Sequence, residues 1–129
     1  MTKERVATVT AAIGASLLFA TAGLHLNAYS FIRSQAPADL QSLIAALWVF
    51  CGVSLIISAL LTIAATPLFI VRRRALLGIA ALIPASIAAL QLVYLGFMAP
   101  TALLLFDAAV LVGAGELGRA YQPRPGTMA

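Results

Sequence analysis

Ala20-Thr21-Ala22-Gly23-Leu24-His25-Leu26-Asn27-Ala28-Tyr29 is the stretch that decides how many membrane helices this chain has. It follows Lys3-Glu4-Arg5 and an apolar run from Val6 to Phe19, and its first three residues have the small-x-small pattern of a signal-peptide cleavage site. Cleavage there would leave a chain starting at Gly23 with three helices. The apolar run does not stop at that point, because it continues through Leu24, Leu26, Ala28, Phe31 and Ile32. A run of about 27 residues exceeds the ~20 that a helix needs to cross a ~30 Å hydrocarbon core, and far exceeds a signal-peptide core. The stretch is read as part of an uncut first transmembrane helix. It places the only histidine, an amide and a phenol inside that helix.

The rest of the chain supports a membrane setting. Of 129 residues, 63% are hydrophobic and 9% charged, whereas soluble domains carry roughly 25% charged residues. The formal charge of +4 does not point to nucleic acid. The basic residues sit in short clusters beside apolar segments and form no stripe, so no nucleic-acid partner is expected. A lone Cys51 excludes an intramolecular disulfide and any cysteine-based zinc site.

Four segments follow in order, at about 6–32, 40–66, 75–98 and 100–118. Asp39 is placed to cap the second and Pro67 to end it, while Pro100 suits the first turn of the fourth. Open strands would leave unpaired backbone groups in lipid, and no segment alternates as a barrel strand does. The expected fold is an all-α integral membrane protein, a four-transmembrane-helix antiparallel bundle over 1–119. A polar tail, 120–129, has no apolar face to bury and is expected to be disordered. Small residues four apart, such as Ala11 and Ala15 or Ala81, Ala85 and Ala89, mark the seams where backbones approach closely.

Charge sets the orientation. With the N-terminus inside, Lys3, Arg5, Arg72, Arg73, Arg74, Arg119 and Arg124 lie on the inner side, and only Arg33 lies outside. Positive residues favour the cytoplasm, so both termini are expected there. The Ala-, Leu- and Arg-rich composition suits a bacterial inner (plasma) membrane. In size and helix count the chain resembles the small bacterial four-helix membrane proteins, the broad DoxX-like group among them. That resemblance carries no diagnostic motif and implies the architecture alone.

Counting at 1.5 Å per residue from the outer ends, each helix brings a polar or amphipathic side chain to about the same depth, ~10 Å below the surface. These are His25, Trp48, Gln91 and Asp107, with Tyr29 nearer the surface and Cys51 deeper. A carboxylate at mid-membrane costs about 2.5–3.5 kcal/mol on insertion scales, so Asp107 should face the bundle and have a partner. His25 is the expected partner by depth; Arg33 is second if its side chain reaches inward, but it is expected to snorkel to the outer interface instead. His25, Tyr29 and Arg33 are four apart and share one face of an unbroken helix, from which Asn27 turns away. Pro84 should kink the third helix by removing the hydrogen bond to the Ala80 carbonyl.

No phosphate loop, dinucleotide fingerprint or nucleophile elbow occurs, and no cofactor is implied. The first expectation is a polar outer-half pocket lined by His25, Tyr29, Trp48, Gln91 and Asp107. It would bind a lipid, a quinone-like or other small amphipathic ligand, or a partner's helix. The second is a structural or accessory subunit, alone, as a homo-oligomer or with a partner membrane protein, in which the same residues only hold the helices together. The third, an enzyme or proton-coupled carrier using His25 and Asp107, has nothing that marks a reacting group.

Overall fold

A computed structural model describes residues 3–68 and 70–119 of the chain. They form five helices and no strand: α1 (Lys3–Asn27), α2 (Tyr29–Gln35), α3 (Gln41–Ala65), α4 (Ile70–Tyr94) and α5 (Ala99–Arg119). Four contain spans long and apolar enough to cross a membrane: Glu4–Asn27, Gln41–Ala65, Val71–Tyr94 and Ala99–Leu117. The tail expected at 120–129 lies outside the described residues.

The long helices form a ring in which α1 packs on α3 and α5, and α4 packs on the same two. Their buried positions step alternately by four and three residues. On α1 these are Ala7, Ala11, Gly14, Leu18, Thr21 and His25; on α4 they are Arg73, Leu77, Ala80, Pro84, Ile87 and Gln91. A mean step of about 3.5 is the spacing of knobs-into-holes packing. Leu18, Leu55, Leu77, Leu104 and Leu111 are fully buried, with alanines filling the space between them. The outer faces are equally apolar, as exposed Phe50, Val71 and Val93 show.

Three boundaries differ from the sequence expectation. The first helix is not continuous to Ile32; it breaks at Ala28, and α2 leans on α3. At the break the Trp48 indole N–H donates to the His25 carbonyl, the acceptor that an unbroken helix offers to the Tyr29 amide. Next, α4 starts at Ile70 and includes the arginine triplet. Arginine is a good helix former, and two of the three find partners across the bundle: Arg73 Nη2 donates to Thr8 Oγ1 at 3.3 Å, and Arg74 pairs with Glu116 at 2.7 Å. Finally, α4 ends at Tyr94 because Gly96 takes a left-handed φ of 78°, an ending that glycine adopts without a Cβ clash. Asp39 makes no cap: α3 starts after Leu40 with no side-chain cap bond.

Pro84 has the effect on its acceptor that its chemistry demands. The Ala80 carbonyl, which loses its helical donor, accepts instead from Ser58 Oγ of α3 at 2.7 Å, and both residues are fully buried. A hydroxyl from a neighbouring helix is one way that freed backbone groups are re-satisfied in lipid. Ser58→Ala should destabilise the fold by about 1–3 kcal/mol, since it leaves a buried carbonyl unpaired. In a Pro84→Ala background the same change should cost nearly nothing, because the backbone amide restored by that substitution can serve the carbonyl. Unfolding of the four variants in denaturing detergent checks this, and equal costs in both backgrounds would refute the clip.

Candidate functional site

Apart from Ser58, Thr62 and Arg73 further along the bundle, the polar groups packed between the helices lie in two tiers rather than one. Nearer the loop between α4 and α5 are His25, Trp48, Gln91 and Thr101; about a turn deeper are Thr21 and Asp107.

Within the first tier the His25 and Trp48 rings stack, with centroids 4.0 Å apart and planes 11° from parallel. The same tryptophan holds the His25 backbone through its indole N–H. His25 is thus fixed by both ring and carbonyl, and only 4% of it is exposed. Its Nε2 is buried without a hydrogen-bond partner. On the opposite side of the ring of helices, Gln91 Oε1 accepts from Thr101 Oγ1 at 3.0 Å and ties the end of α4 to the start of α5. Gln91 Nε2 is likewise buried and unpartnered.

In the second tier Asp107 is completely buried, and its Oδ2 accepts from Thr21 Oγ1 at 2.8 Å. Its Oδ1 has no partner. The expected His25–Asp107 pair is not formed, since no hydrogen bond or ion pair joins them. Thr21 stands one turn before His25 on the same face and takes the carboxylate first. Arg33, the second candidate, is on α2, exposed, and lines a different groove.

A cavity of about 240 Å³ opens between α1, α3 and α5. Its walls are Leu24, Ala28, Ala99, Pro100 and Leu103, with His25, Trp48 and Thr21 as its polar edge. Of the five residues expected to line one pocket, His25 and Trp48 meet here. Gln91 and Asp107 are bonded to its neighbours Thr101 and Thr21, behind the wall. Tyr29 is not in this cavity: with Arg33 it lines a separate groove along α3. Asn27 is not part of the cavity wall either.

Thr21 and Thr101 were the residues sequence reasoning missed. The available signal was positional: Thr21 is four before His25, and Thr101 six before Asp107. No three His, Cys, Asp or Glu side chains gather into a metal-ligand set among the described residues. Comparison with protein-family models, curated proteins and solved structures finds no match for this chain.

Proposed function

We propose that this chain is a bacterial inner-membrane protein, an antiparallel four-helix bundle with both termini cytoplasmic, whose outer cavity holds a small amphipathic ligand of quinone-like chemistry. The seven-to-one distribution of basic residues supports the orientation. Contacts between chain-opposed ends support the antiparallel arrangement: Gln91 late in α4 with Thr101 early in α5, and Glu116 late in α5 with Arg74 early in α4.

The observation that carries the ligand reading is the apolar cavity edged by a stacked, doubly held histidine whose Nε2 is buried and unsatisfied. A buried polar atom without a partner costs about 1–3 kcal/mol, which a ligand oxygen at this edge would recover. Aliphatic walls suit a ring or short tail, and one polar edge suits a carbonyl or hydroxyl. Gln91–Thr101 and Thr21–Asp107 then serve as braces that hold α4, α5 and α1 around the cavity. The same two bonds also support the second reading, a structural or accessory subunit with no ligand.

Trp48 is the only tryptophan and lines this cavity, so its fluorescence responds to a ligand bound here. A short-chain ubiquinone analogue added to the reconstituted protein should quench it saturably. His25→Ala should keep the helical content and weaken binding about tenfold, the size of one lost hydrogen bond to a ligand. Linear, unsaturable quenching in the wild type would reject the quinone reading. Loss of helical packing in His25→Ala would favour the structural one.

A further inference from the structure

We propose that the groove between α2 and α3 is a second site, separate from the histidine cavity, that seats one anionic phospholipid. The groove is about 620 Å³ and has a polar end and an apolar run. Tyr29, Arg33 and Ser42 form the polar end; Val49, Phe50 and Val53 carry the run along α3.

Three observations select this occupant. The first is charge. Among the described residues Arg33 is the single cation at this end of the bundle, it is exposed, and no carboxylate pairs with it. Guanidinium forks match phosphate geometry, and the Tyr29 and Ser42 hydroxyls beside it add donors for the remaining oxygens. The second is length. From Ser42 to Val53 the α3 axis rises about 16 Å, which is half of a ~30 Å core and so the depth of one leaflet. A headgroup at Arg33 would lay its chain along the whole run without crossing the midplane. The third is how the groove is made. Its two walls are α2, which follows the break at Ala28, and the α3 helix on which α2 packs. That break is held by the indole bond from Trp48 to the His25 carbonyl. Small side chains at Ala45 and Ala46 then leave the floor open.

A second copy of the chain fits less well, because it would bring another Arg33, and not an anion, to the face this one lies on. A free phosphate would leave the apolar run without a use. The inference is thus a lipid, read by charge at one end and by chain length along the other.

The test uses the full chain in phosphatidylcholine vesicles with brominated lipid as the quencher of Trp48, which is on α3 within one turn of the groove residues Ala45 and Val49. Brominated phosphatidylglycerol should quench about five times more effectively per molecule than brominated phosphatidylcholine, the effect of one cation at an anionic headgroup. The Arg72–Arg74 cluster does not contribute, because it lies at the opposite end of the bundle from Trp48. Arg33→Gln should bring the two lipids to equality, and Arg33→Lys should restore most of the difference. Ala46→Phe, which fills the floor, should lower quenching by both lipids while the helical content stays unchanged. Equal quenching by the two lipids in the wild type, or a preference that survives Arg33→Gln, would overturn the proposal. A preference abolished by inorganic phosphate would assign the polar end to free phosphate, and a purified chain dimeric through this face would assign the groove to a second copy; either overturns the lipid.

Discussion

Asp107→Leu should make α5 insert into a membrane more readily and, once inserted, hold the bundle together less well. At the centre of a membrane helix aspartate costs about 2.5–3.5 kcal/mol on insertion scales and leucine gains about 0.3–0.6, a difference of roughly 3–4 kcal/mol. Asp107 is near the middle of the span Ala99–Leu117, where that penalty is largest. The bundle, by contrast, loses the bond that Thr21 donates to the carboxylate, in a site with no exposed surface. Interhelical hydrogen bonds of this kind average about 0.6 kcal/mol and reach about 1.7. The two effects have opposite signs and are read by different measurements. Insertion of the α5 segment, flanked by glycosylation acceptor sites, should shift from partial to nearly complete. Unfolding of the whole chain in denaturing detergent should occur earlier. Asp107→Asn should fall between the two, since an amide oxygen still accepts from Thr21. A leucine variant more stable than the wild type would show that the carboxylate contributes nothing to assembly.

Gly14→Leu should be among the most damaging single changes in the chain. A Cβ placed on Gly14 would stand 2.9 Å from Leu111 Cδ2 and 3.3 Å from Val110 Cγ1. Leu111 is fully buried, so its side chain has little free space to move into, and a whole leucine at Gly14 pushes against the α5 surface. Overpacking of this kind costs about 1–3 kcal/mol for a methyl or two, and a leucine asks for more room than that. In lipid no hydrophobic gain offsets the loss, because separated helices are solvated equally well by acyl chains. Gly78→Leu is the control. Nothing lies within 4 Å of a Cβ there, and the position is exposed, so the change should stay within about 0.5 kcal/mol. The fraction of folded protein against denaturing-detergent concentration compares the two, and similar midpoints would refute the close α1–α5 approach.

Spans were legible in the sequence because crossing a membrane is a one-dimensional requirement, satisfied by a run of apolar residues of sufficient length. Helix ends were less legible, because apolar length marks the part in lipid and not the part that is helical. The arginines at 72–74 belong to α4 although they belong to no apolar run, and α4 stops at Tyr94 within one, at the bidding of Gly96. The buried face was hard to read for a related reason. In water an apolar stripe separates inside from outside, but here both sides are apolar, and the information left is a repeat of small and polar residues: Ala11, Gly14, Thr21 and His25 on α1, or Ser58, Ala59 and Thr62 on α3.

For the candidate site, depth counting placed His25, Trp48, Gln91 and Asp107 at one level of their helices. It did not pair them, since pairing depends on the rotation and register of two helices at once, and neither is written in one segment. Pro84 shows the same division. Its missing amide announced an orphaned carbonyl at Ala80, but only the packing of α3 on α4 named Ser58 as the donor.

The sequence by itself thus determined four helical spans and the residues that cannot face lipid. Tertiary structure decided who meets whom. Thr21 rather than His25 reaches Asp107, because the register of α1 against α5 brings the threonine to the carboxylate. Tyr29 lines a groove with Arg33 and not the cavity that His25 edges, and the His25 carbonyl takes its bond from an indole on α3. Length and hydropathy are properties of each segment alone, whereas a hydrogen bond between helices is a property of two surfaces in contact, and it exists only once they have packed.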